Sequence, residues 1–424
     1  MPLRQRVGRV ASKIVPGVLR RVHADHVLRH TPSGLTFAIA ESIDQLRPDH
    51  WDGLVQGHSV CLDRAFLRVV EQAGPDNLKM HYAMAYRGAT PIVAVACQSV
   101  AVDGARLSAR RAGGKGRPRR EAGLARLKQR VLVCGNLLGW GPQGAAFAGD
   151  VAADECWAAV AEALYRIRRQ DVLFGQTDLV MVKDLGAAEA DADVPLRRFS
   201  YRPLTTEPNM VLALRSEWRG FDDYLAALRS DYRSTIRKQI REVTAAGLLL
   251  ARLDAAAVAQ CADELHRLYL SVHERQRLRL VTIAPGWLPG LAAAYGDRFR
   301  TIVVKRAADE ALVGFVTLLC DRDGAIGYYI GYDKGLAEQG VPLYLRLLYA
   351  LVEEAIDARA AWLSLGRTAL VPKAALGATG HPLRCYVRHR LPALNAVVSA
   401  LMGAVPEPDQ PPERNPFKPA PSAT

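Results

Sequence analysis

The chain has 424 residues, half of them hydrophobic, 23% charged and 7% aromatic. That mixture excludes a disordered polypeptide, and at roughly 100–200 residues per domain the length calls for two globular domains. The net charge of +13 favours anionic partners, but residues 1–30 carry seven bases against one acid and residues 101–130 ten against two, which leaves a near-neutral body.

In the N-terminal arm Leu3, Val7, Val10, Ile14 and Val18 step by three and four, with Arg4, Arg6, Arg9, Lys13, Arg20 and Arg21 around them. This pattern suits a basic amphipathic helix lying on an anionic membrane surface or docked on its own domain. Lys13 and Pro16 interrupt the apolar core that a secretory signal needs. No apolar stretch reaches the roughly 18–20 residues of a membrane span; 393–405 falls short between Pro392 and Pro406. His23, His26 and His30 share a helix face, but no acid or cysteine completes a ligand set, so no metal is expected. Seven scattered cysteines without a CxxC pair read as buried, reduced thiols of a cytoplasmic protein.

Beyond the arm, a strand is expected over 35–40, helices over 43–54 and 65–72, and strands over 80–87 and 91–102. The basic loop 103–129 follows, broken by Gly113, Gly114, Gly116 and Pro118. A strand over 130–137 leads through a glycine-rich turn to a helix over 152–169, whose apolar face includes Ala161, Leu164 and Tyr165; a strand over 178–183 closes this half. Residues 186–208, with Pro195, Pro203 and Pro208, read as a connection. The second half begins with one long helix over 222–246, stopped by Gly247. A strand over 248–253 and a helix over 257–279 come next. Strands over 301–306, 311–320 and 325–332 form an antiparallel meander. A helix over 341–359 and strands over 362–366 and 383–388 complete this half. The tail from Val405 holds seven prolines in twenty residues and is expected to be extended and unpacked.

Gly139-Trp-Gly141-Pro-Gln-Gly144 matches GxGxxG, but a dinucleotide site needs the last glycine to open a helix, and here Pro142 interrupts the turn. A tight strand-to-helix turn is the better account. Gly113-Gly114-Lys115-Gly116 lacks the Ser or Thr of a P-loop. Arg229, Arg233, Arg237 and Arg241 recur every four residues beside Lys238, a basic ridge that reads either as a solvated face or as an anion-facing one. Arg367 and Lys373 follow a strand end, where open sheets bind ligands. Tyr328 and Tyr329, adjacent on a strand, are expected to point to opposite faces.

The order of "SDYRSTIRKQ" (230–239), the meander "ALVGFVTLLC…GAIGYYIGYD" and "LSLGRTALVPKAALGA" resembles the GNAT acyltransferase superfamily, in its FemAB-like branch. The first half, with "VLVCGNLLGWGPQGAAFAGD" and "LVMVKDL", resembles the N-terminal GNAT-like half of the same proteins. The resemblance implies an α/β (α+β) chain of two tandem GNAT-like domains, each a mixed, mainly antiparallel sheet flanked by helices. The divisions are a basic arm (1–34), a first domain (35–205), a second, catalytic domain (206–404) and a proline-rich tail (405–424). It implies acyl transfer, to nitrogen more readily than to oxygen, with backbone amides between two splayed strands polarising the carbonyl. Glu274 would accept the proton of the acceptor and Tyr329 would protonate the leaving group. Arg233, Arg237, Lys238, Gly340, Arg367 and Lys373 would hold the donor. That donor is an acyl-CoA, an acyl carrier protein or an aminoacyl-tRNA, used as a co-substrate with no permanently bound cofactor. The stretch 336–343 keeps one glycine, Gly340, of the loop that cradles a CoA pyrophosphate in GNAT enzymes. A FemAB-like, tRNA-dependent transfer to a peptide or cell-envelope acceptor stands as the alternative, and a non-catalytic anion- or membrane-binding adaptor as a third.

Overall fold

The apolar runs of both halves come together in one sheet. The structure, a computed structural model, describes residues 23–29, 31–103, 128–170, 172, 176–274, 279–396 and 409–419. The N-terminal arm through residue 22, His30 and most of the basic loop (104–127) lie outside the described residues.

In the first half, β1 (Thr36–Ala40), β2 (Leu78–Arg87), β3 (Thr90–Asp103) and β4 (Lys128–Cys134) form an antiparallel meander. The short β5 (Ala145–Phe147) pairs with β3. A crossover helix then brings β6 (Leu179–Leu185) parallel to β4. The second half repeats this route with β8 (Leu248–Leu253), β9 (Phe299–Arg306), β10 (Leu312–Asp321) and β11 (Gly324–Tyr332), another crossover helix, and β12 (Trp362–Ser364) parallel to β11. Two further strands join the copies: β7 (Arg202–Ala213) and the last strand, β13 (Thr379–His389), which lies between β6 and β7. Parallel pairing of β4 with β6 and of β11 with β12 requires the long crossovers that the sequence supplies.

The helices are α1 over 23–29, α2 (Pro48–Val55), α3 (Arg64–Ala73), the crossover α4 (Ala153–Gln170) and α5 (Asp193–Arg198) in the first half. The second half has α6 (Phe221–Ala227), α7 (Ser230–Ala245), α8 (Ala255–Gln260), α9 (Ala262–His273), α10 (Trp287–Tyr295), α11 (Lys334–Glu338), the crossover α12 (Leu343–Asp357) and α13 (Leu370–Ala375). One core draws on both halves, with Trp51, Phe66, Tyr82, Trp287, Phe315 and Tyr328 packed together. The rings of Phe66 and Trp287 meet edge-on at 5.8 Å across the junction. A second core lies around α7 and α12, and a third around α4. Large side chains buried this fully contribute roughly 1.5–3 kcal/mol each, so the shared core welds the halves. Among the described residues no helix is long and apolar enough to cross a membrane.

Four expectations change. The single helix over 222–246 is two, because Leu228 and Arg229 are extended (ψ 151° and 154°). The cause is remote: Arg229 N donates to the Pro416 carbonyl (2.8 Å) and Lys418 N to that of Ala227 (2.9 Å), so the tail holds the break open. The tail over 409–419 is therefore extended but packed, with the half-buried Phe417 against Trp218 and Tyr224 and above Gly377. The connection over 186–208 contains α5 and the start of β7, where Pro203 faces Tyr386 and Pro208 falls at a register shift opposite Pro382. Prolines without an amide donor are tolerated at such interruptions. Finally, Tyr165 on α4 is exposed rather than part of the apolar face.

Candidate active site

The register of β10 against β11 slips between Val316 and Leu318: Leu318 faces Gly327, and Val316 faces Ile330. Tyr328 and Tyr329 thus stand together opposite Thr317, a β-bulge. The Thr317 hydroxyl accepts a hydrogen bond from Tyr329 N (2.9 Å) and so replaces a missing ladder partner. The bulge overturns the expectation of opposite faces, since the two rings meet edge-on at 4.6 Å. Tyr329 Oη donates to the Leu138 carbonyl of the first half (3.1 Å). The buried Tyr328 hydroxyl has no hydrogen-bond partner among the described residues. Burial, then a neighbouring tyrosine, keeps both phenols protonated far beyond their usual range.

Beside the bulge, β11 and β12 pair only at Ala325–Leu363 and Ile326–Ser364. Beyond that point β12 ends, the chain turns at Gly366 (φ 78°), and β11 continues without it. Trp140, from the first half, covers the end of β12. Its Nε1 donates to Ser364 Oγ (2.7 Å), which donates to Asn209 Oδ1 (2.8 Å), and its ring would stand 3.1 Å from a Cβ on Gly366, a tight contact.

A cavity of about 730 Å³ opens at this junction. Its first-half wall is the turn 140–149 and the start of α4, placed where β4 and β6 part; its second-half wall includes Asn209, Ile326, Trp362 and Ser364. Gly144 leads into β5 and no helix begins until Ala153, so the GxGxxG match is a structural turn, packed too tightly for any side chain at Gly144. Gln143, whose Oε1 accepts from Asn136 Nδ2 (3.0 Å), and Gln98, whose Nε2 donates to Asn136 Oδ1 (3.3 Å), hold the turn from beneath.

Two polar nodes fix the cavity's ends. At one, Asp321 accepts from Val60 N (2.7 Å) and Ser59 Oγ (3.0 Å), and Arg322 pairs with Asp63 (2.9 Å), so the β10–β11 turn grips the first half. Burial raises the Asp321 carboxyl, against the pull of these hydrogen bonds. At the other, the fully buried Asp184 pairs with Lys183 and with Arg367 Nη1 (3.0 Å), and accepts from Gly141 N (3.3 Å). Burial opposes its ionisation most strongly, yet Lys183 and Arg367 outweigh it and hold the carboxyl below its ordinary range. Asp184 has φ 58°, a left-handed conformation that only a rigid surround maintains.

The structure brings some of the expected site residues together and separates others. Tyr329 and Arg367 lie at the junction, Arg367 as the partner of Asp184. Lys373 on α13 is buried, and burial pulls its ammonium down to about 7, with Glu207 its one opposing influence. Glu274 caps α9 in an exposed position, and like Tyr329, Arg367 and Lys373 it is not among the residues that line the cavity. Arg237, Arg241 and Lys238 are exposed on α7, and Arg233 is half-buried with Nη1 on the Leu228 carbonyl (3.2 Å); the helix break removes Arg229 from this ridge. Gly340 (φ 91°) donates its amide to Ala337 O, and the amides of Gly335, Leu336, Ala337, Gln339, Val341 and Leu343 are likewise taken inside the segment. The stretch that would cradle a pyrophosphate is closed on itself. Asp184, Lys183, Trp140, Ser364, Asn209 and Asp321 escaped the sequence reading. Their strands were legible, but nothing local marks Asp184, Trp140, Ser364, Asn209 and Asp321, whose partners lie more than a hundred positions away, or shows that the adjacent Lys183 and Asp184 are buried as a pair.

Residues 230–374 match the family described as acetyltransferase (GNAT) domain. No curated protein matches the sequence. Among solved structures, FemX is 10% identical with a TM-score of 0.50, covering 84% of this chain and 98% of its own. A tandem GNAT protein from the clavulanic acid biosynthesis pathway is 12% identical (TM-score 0.47; 84% and 99% covered). The C-terminal domain of a putative lysylphosphatidylglycerol synthetase from Agrobacterium fabrum is 10% identical (TM-score 0.46; 84% and 95% covered).

Proposed function

We propose that this chain, whose C-terminal half carries a GNAT domain within a tandem fold shared with FemX, transfers an acyl group to an amine acceptor. The observation that carries this reading is the parting of β11 from β12 after two residue pairs, beside a bulge and at the wall of the cavity. In this reading the acyl carbonyl lies against β11 amides released by the divergence, where hydrogen bonds strengthen as the oxygen becomes an oxyanion. The acceptor enters through the cavity and its nitrogen attacks the carbonyl carbon. The bond from that carbon to the donor's sulfur or oxygen breaks, and the amine loses a proton to a carboxylate through water. Tyr329, which burial keeps protonated, is the proton donor to the leaving group once its hydroxyl releases the Leu138 carbonyl. Asp321, which lines the cavity with a raised pKa, is better placed than Glu274 to receive the amine proton. An acyl thioester, of CoA or of a carrier protein, is the leading donor, with Arg367 and Lys373 contributing to its hold.

The closed segment 333–343 supports a donor whose phosphates rest elsewhere, and the exposed Arg237, Arg241 and Lys238 offer an alternative contact. This favours a second reading in which an aminoacyl ester on tRNA is the donor. Purified protein assayed with a panel of acyl-CoAs, and separately with charged tRNA before and after ribonuclease, tests both. Turnover on thioesters supports the first reading, and turnover abolished by ribonuclease supports the second. Failure of both donors on a panel of amines refutes acyl transfer.

A further inference from the structure

A second surface, on the side of the sheet covered by α4, has no part in this chemistry. Arg168 on α4, Arg388 and Arg390 at the end of β13, Tyr165 and Tyr201 line one shallow depression. Arg29 of α1 lies near enough to both Arg388 and Arg202 of β7 for each to act on it electrostatically. Arg390 pairs with Asp178 (3.0 Å), and Arg29 has Asp25 nearby. Among the described residues no carboxylate pairs with Arg168, Arg202 or Arg388, and Arg202 Nε, shielded from water, has no hydrogen-bond partner. Burial and then the neighbouring Arg388 depress Arg168, whose guanidinium faces the Tyr165 ring at 5.5 Å while that of Arg388 faces the Tyr201 ring at 6.0 Å.

The rim of the same edge is apolar. Tyr165, Val172, Leu391 and Leu394 are each more than two-fifths exposed, as is Val27 on α1. Leu391 follows Arg390 directly with Leu394 three residues further on, and Asn395 Nδ2 donates to the Ser200 carbonyl beside Tyr201 (2.9 Å), which ties the segment to the cluster.

We propose that this edge docks on a membrane surface bearing anionic phospholipid, with lipid phosphates meeting the arginines and the apolar rim entering the headgroup layer. A lipid phosphate at the mouth of the depression supplies charge-assisted acceptors to Arg168 and Arg388 and relieves the repulsion between their guanidiniums. The depression holds only about 10 Å³, too little for a soluble phosphorylated ligand, so the partner lies across the surface. Exposed tyrosine and leucine beside arginine is the composition that partitions at a bilayer interface. The proposal concerns the α4–β13 edge and is independent of the acyl-transfer reading.

Co-sedimentation of the full chain with vesicles tests it. Binding is expected when roughly a third of the lipid is phosphatidylglycerol and to weaken with salt, and to be slight on phosphatidylcholine alone. At about 1 kcal/mol per basic residue near the surface, Arg168→Gln with Arg388→Gln lowers the partition coefficient roughly 20–30-fold. Tyr165→Ser, at a half-exposed site and with folding checked by circular dichroism, lowers it several-fold. Equal binding to both vesicle types overturns the proposal, as does wild-type binding by both variants. Loss of RNA binding in the arginine variants, without vesicle binding by the wild type, also overturns it and makes the edge a nucleic-acid surface.

Discussion

Lys373→Met separates the roles of a buried cation better than any other change. The lysine is 4% exposed, and burial brings its pKa from 10.5 to about 7. A drop of about 3.5 units at 1.36 kcal/mol each sets an upper bound near 5 kcal/mol on the cost of keeping it charged in the folded state. The sign follows from proton binding. Between about pH 7 and 10.5 the unfolded chain holds this proton more tightly, so the lysine lets stability rise with pH across that window, and below about 7 its penalty is complete. Methionine keeps most of the apolar stem and removes the charge. Lys373→Met should therefore be more stable than wild type by roughly 2–4 kcal/mol at about pH 6, with the gap closing toward pH 10. Urea unfolding at several pH values measures this. A residue that stabilises nothing yet is held in place by the fold invites a functional account, and the same variant should lose acyl transfer. A variant less stable than wild type at low pH refutes the buried-charge argument; wild-type turnover removes Lys373 from the site.

Asp184→Asn keeps shape and tolerates φ 58° but strands Lys183, and should cost about 3 kcal/mol in urea unfolding, with Lys183→Met/Asp184→Asn recovering most of it. Because the folded Asp184 pKa is depressed, its contribution is present above the ordinary carboxylate pKa of about 3.9 and disappears as pH falls below it, so the variant should lack part of the acid-unfolding limb seen in wild type. Gly366→Ala combines a positive φ with a Cβ 3.1 Å from the Trp140 ring, and should cost about 1–3 kcal/mol and reduce turnover, read by tryptophan fluorescence and rate. Phe417→Ala should free the tail at a cost of about 3 kcal/mol, seen as faster hydrogen exchange at the Arg229 amide.

The parts of the fold that were legible in the sequence are those whose cause is local. β9, β10 and β11 are apolar runs separated by turns, and the helices α3 and α4 have periodic apolar faces; these elements lie close to their expected positions. What escaped is set by distant partners. The break between α6 and α7 depends on Pro416 and Phe417, almost two hundred residues on, so helical periodicity ran straight across it. β7 carries two prolines that argue against a strand, and only the register shift in β13 shows how the pair accommodates them. The Tyr328–Tyr329 bulge is a property of pairing register, which one strand's sequence does not encode, and it changes both residues from opposite-facing to adjacent.

The repeated route of the two halves makes their differences informative. Each has a parallel strand pair reached through a crossover helix, and so each has a place where two strands part and a loop enters that helix. After β11 the loop folds into α11, consumes its own amides and presents no cradle. After β4 the loop stays open, carries glycines at 135, 139, 141, 144 and 149, and walls the cavity. The second half contributes the bulged, half-unpaired β11, whereas the first contributes volume and, through Trp140 and Leu138, the contacts that fix Ser364 and Tyr329. Neither half alone encloses the junction. A single GNAT-like unit would leave the end of β12 uncovered and Asp184 without Arg367. The tandem arrangement is thus a condition of the site's geometry, because the groups that close it come from both copies.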